Sequence, residues 1–317
     1  MDNCSDTFSN TFRPGNVSIS VIETAILSIS FILNAIIFVS ICCSPRLHTF
    51  SNVFVASLAV SDLLFAPAYG TLSAGNLYTV NTNLQLPCSP AFLCSSLYVV
   101  SCTMICSRLC HLVISAERWF YIAWPFVHQR VITSKLIICC LICVWFISML
   151  SGVHIVTDCR SSPTEFMIGY ATVDAAFHFV VGGLMLTIYV HIGFIIRRQS
   201  VAIHKSRLAA NNNRGETIYN RMTWNIVRMP VTIFGTFFLF VTPIVIFNIY
   251  FFVSIGNPSF NYSNSTFDAL KILAVFHTWA NFFVYVLQDT DFRSVIKLCC
   301  SKITIAISSE RIYPVNN

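Results

Sequence analysis

Charge is what this sequence has least of. Only 10% of its 317 residues are Asp, Glu, Lys or Arg, while 56% are hydrophobic; a soluble domain carries about 25% charged residues. Such a chain cannot cover a water-facing surface, and most of its surface must face lipid. The net charge of +6 comes from dispersed basic residues, with no basic cluster on a compact domain, which excludes nucleic acid as a partner. There is no His-Glu-x-x-His spacing and no Gly-x-Ser-x-Gly, so neither zinc hydrolysis nor an elbow serine is encoded, and no enzyme, metal or cofactor is expected. No internal repeat with paired broken helices is visible, which argues against a transporter. The first 18 residues are polar and no short apolar leader precedes the first long apolar run. That run is therefore expected to act as its own signal anchor.

What is present is seven long apolar runs, near Ile19–Cys42, Asn52–Leu72, Ala91–Phe120, Leu136–Val156, Met167–Ile196, Trp224–Val253 and Phe267–Leu287. Each is long enough to cross about 30 Å of hydrocarbon as a helix, which takes roughly 20 residues. Lipid admits only helices and closed barrels, because every backbone polar group must be satisfied internally. The runs lack the alternation and the roughly ten-residue length of barrel strands. The expected fold is all-α, a seven-transmembrane helix bundle. About 25 residues are left between the fifth and sixth runs, with a flexible turn at Asn211–Gly215.

Lys and Arg set the orientation. Thirteen fall on one side (Arg46, Arg130, Lys135, Arg197, Arg198, Lys205, Arg207, Arg214, Arg221, Arg293, Lys297, Lys302, Arg311) and three on the other (Arg13, Arg160, Lys271). The N-terminus is therefore expected outside and the C-terminus inside. The glycosylation sequons at Asn3, Asn16, Asn261 and Asn264 all lie on the predicted outer side. Cys102, Cys106, Cys110, Cys139, Cys140 and Cys143 lie inside the runs and act as small hydrophobes. Cys299 and Cys300 close a short amphipathic segment after the seventh run, a juxtamembrane position suited to palmitoylation. Cys4, Cys88, Cys94 and Cys159 lie on the outer side, where disulfides form.

Several motifs fall in order along these runs. The first holds Asn34. The second reads Asn52-Val-Phe-Val-Ala-Ser-Leu-Ala-Val-Ser-Asp62, with Asp62 a carboxylate inside the membrane, costly and so functional by default. The third ends Glu117-Arg118-Trp119, followed by Pro125-Phe126. The fourth holds Trp145, the fifth Tyr189, the sixth Phe237 and Pro243, and the seventh Asn281-Phe-Phe-Val-Tyr285, then Asp291-Phe292-Arg293. Taken together, these segments resemble the rhodopsin-like (class A) G protein-coupled receptors over nearly the whole chain.

The resemblance implies an unknown extracellular ligand, a heterotrimeric G protein as partner, and a short amphipathic eighth helix. It makes Glu117 and Arg118 a resting pair whose release exposes the guanidinium to Tyr189, Tyr285 and the G protein, with Phe126 entering an apolar pocket of that protein. It implies a disulfide from the start of the third helix, at Cys94 or Cys88, to Cys159, with Cys4 and the remaining cysteine as a second pair; the pairing stays open. The division is an extracellular N-terminus at 1–18, the receptor domain at 19–288, and a cytoplasmic eighth helix and tail at 289–317, in the plasma membrane. The alternatives are an atypical heptahelical protein that does not signal, and a transporter.

The chain also departs from the family. Phe282 replaces the seventh-helix proline, Val241 the tryptophan before Pro243, Val181 the fifth-helix proline, and Thr223 the acid that locks Arg118. Arg108 lies in the middle of the third helix, where a charge costs about 2.5–3.5 kcal/mol on insertion scales. The family's polar core maps to Asp62, Thr103, Ser107, His277, Thr278 and Asn281. Two placements follow: Arg108 or a protonated His277 neutralises Asp62 in place of a sodium ion, or Arg108 bonds to local backbone or to Asp174 and sodium still binds. Val100 stands at the position of the amine receptors' aspartate and Val275 at that of the opsin lysine, so neither an amine held in that way nor light is implied. The candidate ligand residues are Ser101, Asp174, His178, Asn248 and Lys271. The short loop after the fourth helix is similar to that of the melanocortin and adenosine branch.

Overall fold

A computed structural model describes residues 17–82, 90–153, 155, 163–208, 214–254 and 264–297. The described chain is helical, with no strand among the described residues. The helices are α1 (Val17–Cys43), α2 (Phe50–Thr82), α3 (Pro90–Ala123), α4 (Pro125–Val131), α5 (Ser134–Ser151), α6 (Pro163–Leu208), α7 (Arg214–Ser254), α8 (Asn264–Val275) and α9 (His277–Gln288). Among the described residues a further helix, α10, covers 290–297. Seven segments are long and apolar enough to cross a membrane: α1, α2, α3, α5, α6, α7, and α8 with α9 together.

The helices overrun the apolar runs because only the hydrocarbon-facing part of a helix must be apolar. The expected loop of about 25 residues shrinks, since α6 continues to Leu208 and α7 begins at Arg214. The expected turn at 211–215 lies mostly outside the described residues. The short α4 was not legible as an apolar run: Pro125 sits at its first turn, where a missing N–H costs nothing, and none of its residues is buried.

Helix α3 is the hub, packed against α2, α5, α6 and α7. The main core joins Ile37, Phe54, Leu58, Cys106, Ile114 and Tyr285. Helix α5 stays peripheral, with Ile138, Ile142, Phe146 and Leu150 exposed as a lipid-facing stripe should be. Trp145 turns inward and donates from Nε1 to Ser57 Oγ at 3.0 Å.

The seventh span breaks without a proline. Phe276 is a turn between α8 and α9, and the His277 ring sits 2.5 Å from the Ala274 carbonyl through Nδ1. Thr278 Oγ1 donates to Val275 O at 2.9 Å. Side chains inserted into the backbone ladder are a recognised cause of a break. Phe282, in the proline's place, packs instead against Phe292 of α10, with ring centroids 6.5 Å apart. Asp289 Oδ1 accepts from the N–H groups of Asp291 and Phe292 at 2.9 Å each, an N-cap that starts α10.

Candidate functional site

Three polar clusters sit at different depths. At the Arg118 end, Glu117 and Arg118 close the last turns of α3. Arg118 Nε lies 3.3 Å from Glu117 Oε2. Ser51 of α2 links the two, since Arg118 Nη2 donates to Ser51 Oγ at 2.6 Å and that hydroxyl donates to Glu117 Oε2 at 3.0 Å. The other carboxylate oxygen lies 2.9 Å from His128 Nε2 of α4; an ionised carboxylate only accepts, so that nitrogen carries the proton. Beside this cluster is a cavity of about 280 Å³ lined by Arg46, Ser51, Arg118, Tyr285, Asp289 and Asp291. Tyr189 OH lies 2.7 Å from Ser115 Oγ, and Tyr285 OH is buried without a hydrogen-bond partner. Phe126 is 84% exposed.

Helix α7 is tied to α9 at this end. Arg228 Nη2 donates to Gln288 O at 3.5 Å and Gln288 Nε2 to Thr232 Oγ1 at 3.0 Å. The Thr223 side chain lies outside the described residues.

In mid-bundle, Asn281 Nδ2 donates to Asp62 Oδ2 at 3.1 Å, and Ser61 and Ser107 share a hydrogen bond at 2.8 Å. For Arg108, the structure has the ion pair with Asp174. Arg108 Nη1 meets Asp174 Oδ1 of α6 at 2.5 Å, and no ion pair joins Arg108 or His277 to Asp62 among the described residues. The placement of Arg108 or His277 on Asp62 is therefore corrected: Asp174 supplies the countercharge to Arg108, and the His277 ring is spent on its own helix break. Among the described residues no group of three or more His, Cys, Asp or Glu could hold a metal. Arg108 is fully buried, and its Nε and Nη2 have no hydrogen-bond partner. Its guanidinium lies 6.0 Å from the Phe237 ring centroid. The rings of His111, His178 and His277 surround the same phenylalanine at 5.2, 6.1 and 5.3 Å. His111 Nδ1 lies 2.6 Å from Ser107 O. A carbonyl only accepts, so Nδ1 is protonated in His111 and His277, and Nε2 of each ring is buried without a hydrogen-bond partner.

Toward the predicted outer end, His178 Nε2 lies 2.9 Å from Thr242 Oγ1, with its ring stacked 4.4 Å from Phe238. Ser101 is buried and Asn248 half-buried. Lys271 is engaged with two carboxylates, Asp268 at 3.0 Å and Glu23 at 3.5 Å. Glu23 was missed by the sequence reading, as were Ser51 and His128. The signal for Glu23 was available: it is a carboxylate inside the first apolar run, and the cost argument that singles out Asp62 applies to it equally. Ser51 and His128 carried none, because their role depends on how α2 and α4 meet α3.

Cys94 is disulfide-bonded; Cys4, Cys88 and Cys159 lie outside the described residues. So do Asn3, Asn16, Asn261, Cys299, Cys300 and the Asn264 side chain.

The sequence profile of the 7 transmembrane receptor (rhodopsin family) matches residues 33–285. Among curated proteins, the alpha-1A adrenergic receptor of Canis lupus familiaris is 24% identical over 235 residues, covering 69% of this chain and 78% of that protein. Those of Bos taurus and Homo sapiens are 24% and 23% identical, covering 69% of this chain and 49% of theirs. The chain spans about half the length of these last two relatives.

Proposed function

The chain belongs to the rhodopsin family of seven-transmembrane receptors, and from that premise we propose that it carries an extracellular ligand signal to a heterotrimeric G protein. The observation that supports this best is the Glu117–Ser51–Arg118 cluster beside an open cavity at the predicted inner end. Arg118 is held there by short-range hydrogen bonds to a neutral hydroxyl and one ion pair, contacts that a docking partner can exchange for its own. Phe126 stands out next to it as an apolar contact. The plasma membrane is the expected location, with residues 1–18 outside and 289–317 inside, in line with the basic-residue asymmetry. Ser101, Asp174, His178, Asn248 and Lys271 are the candidate ligand contacts, spread over α3, α6, α7 and α8. The adrenergic relatives do not carry an amine reading over directly, because Val100 is buried among apolar side chains.

The test is nucleotide exchange on purified heterotrimeric G proteins with the full-length receptor in lipid, wild type and Arg118→Ala, against a broad ligand set. Exchange above the receptor-free rate in wild type, lost in Arg118→Ala, is the expected result. No exchange with any G protein at any expression level gives the chain to the nonsignalling reading.

A further inference from the structure

Among the described residues Glu23 is the most deeply buried carboxylate toward the predicted outer end, with its side chain 3% exposed. One oxygen is satisfied: Ser73 Oγ of α2 donates to Oε2 at 2.6 Å. The other, Oε1, is buried and accepts no hydrogen bond. It faces Lys271 Nζ at 3.5 Å as an ion pair without a hydrogen bond, because that ammonium sits closer to Asp268 at 3.0 Å. Two carboxylates thus share one ammonium. Among the described residues the site is one positive charge short, and an incompletely paired buried carboxylate is costly. Lys271 Nζ also lies 5.2 Å from the Phe267 ring centroid, so the place where the ammonium rests has an aromatic face as well as two anions, the combination that holds organic cations.

We propose that Glu23, Asp268 and Ser73 form a subsite between α1, α2 and α8 for an ammonium group of the ligand, with Lys271 as its built-in competitor. The inference deepens the receptor reading and rests on it only in calling this end ligand-facing. Lys271 shows that a primary ammonium fits. It is 21% exposed on a four-carbon stem and can swing toward solvent when a ligand ammonium arrives. A small metal ion is the poorer occupant, since hard cations ask for about six or more oxygen ligands and one wall here is a phenyl ring. Carrying the anchor on α1 also explains how this chain does without an acid at Val100.

The test uses full-length receptor in nanodiscs at fixed, saturating sodium chloride, and reads the thermal unfolding midpoint while phenethylammonium is titrated in. The neutral isostere 2-phenylethanol is the control. Wild type should show a midpoint that rises with phenethylammonium and not with the alcohol. Lys271→Met should reach half-saturation at about tenfold lower concentration, since a tethered competitor acts at an effective concentration in the millimolar range. Glu23→Gln should lose the response. Ser73→Ala, which keeps the carboxylate, should weaken it severalfold, and it decides the matter if Glu23→Gln does not fold. Equal responses in wild type and both α1 and α2 variants, or no gain in Lys271→Met, overturn the proposal. So does a response that survives Glu23→Gln but disappears in Asp62→Asn or Asp174→Asn, because the ammonium then goes to another carboxylate. No G protein is present, so a receptor that fails to couple still answers.

Discussion

Single side chains hold the polar clusters of the bundle together. Arg108 is the clearest: a guanidinium with no solvent exposure, neutralised by one carboxylate. Removing only that partner leaves an uncompensated buried charge, which costs about 3–5 kcal/mol, whereas exchanging both for apolar groups is often neutral. Asp174→Asn should therefore lower the unfolding midpoint sharply, and Arg108→Met combined with Asp174→Leu should recover most of it. If the double variant is as unstable as the single, the pair is not the main countercharge. Ser51 acts at the other end. It is the hydroxyl that both Arg118 and Glu117 use, and a hydrogen bond to a charged group contributes about 1.5–3 kcal/mol. Ser51→Ala should loosen Arg118 and raise ligand-independent nucleotide exchange severalfold; an unchanged basal rate would show that the ion pair alone holds the guanidinium.

Pairs of helices meet where small residues or polar ties allow it, and this is where reading the sequence lost resolution. The seven spans were legible because hydrocarbon imposes length and apolarity on each, whatever it packs against. The ends were not, because nothing forces a helix to stop at the membrane surface, and α6 and α7 run on through Lys205 and Arg221. The break at Phe276 was illegible because its cause is His277 and Thr278 returning to their own backbone, and no proline marks it. Gly182 of α6 shows how close one contact is. A Cβ there would fall 1.9 Å from Phe238 Cζ of α7, and that ring is already stacked on His178 one turn away. Gly182→Ala should cost about 1–3 kcal/mol by overpacking, visible as a lower unfolding midpoint. Gly183→Ala, which meets nothing within 4 Å, should not lower it; equal effects would mean helix propensity rather than the α6–α7 contact decides. Farther down, Gln288 ties α9 to α7 through Thr232.

Among the described residues, Arg108, Arg118 and Lys271 each have a carboxylate, while not every carboxylate has a cation. Arg108 has Asp174, Arg118 has Glu117, and Lys271 has Glu23 and Asp268. Asp62 stands 1% exposed with Asn281 donating to it and no cation paired with it among the described residues. With Arg108 committed to α6, two outcomes remain for that carboxylate: it keeps a proton, or it takes a small cation from solution, as the family resemblance implies for sodium. The neutral oxygens nearby are the hydroxyls of Ser61 and Ser107, which hydrogen-bond each other, while the Asn281 amide donates to Asp62. A ligand that binds only the folded state stabilises it by RT ln(1 + [L]/Kd). Exchanging N-methylglucamine chloride for sodium chloride at constant ionic strength should therefore raise the unfolding midpoint of wild type in a saturable way. Asp62→Asn, which keeps the shape and removes the charge, should abolish the response, while Asp174→Asn should keep it from its lower starting point. A flat wild-type response means the carboxylate is protonated. A sodium response lost in Asp174→Asn but kept in Asp62→Asn would move the ion to α6 and undo the division of charges described here.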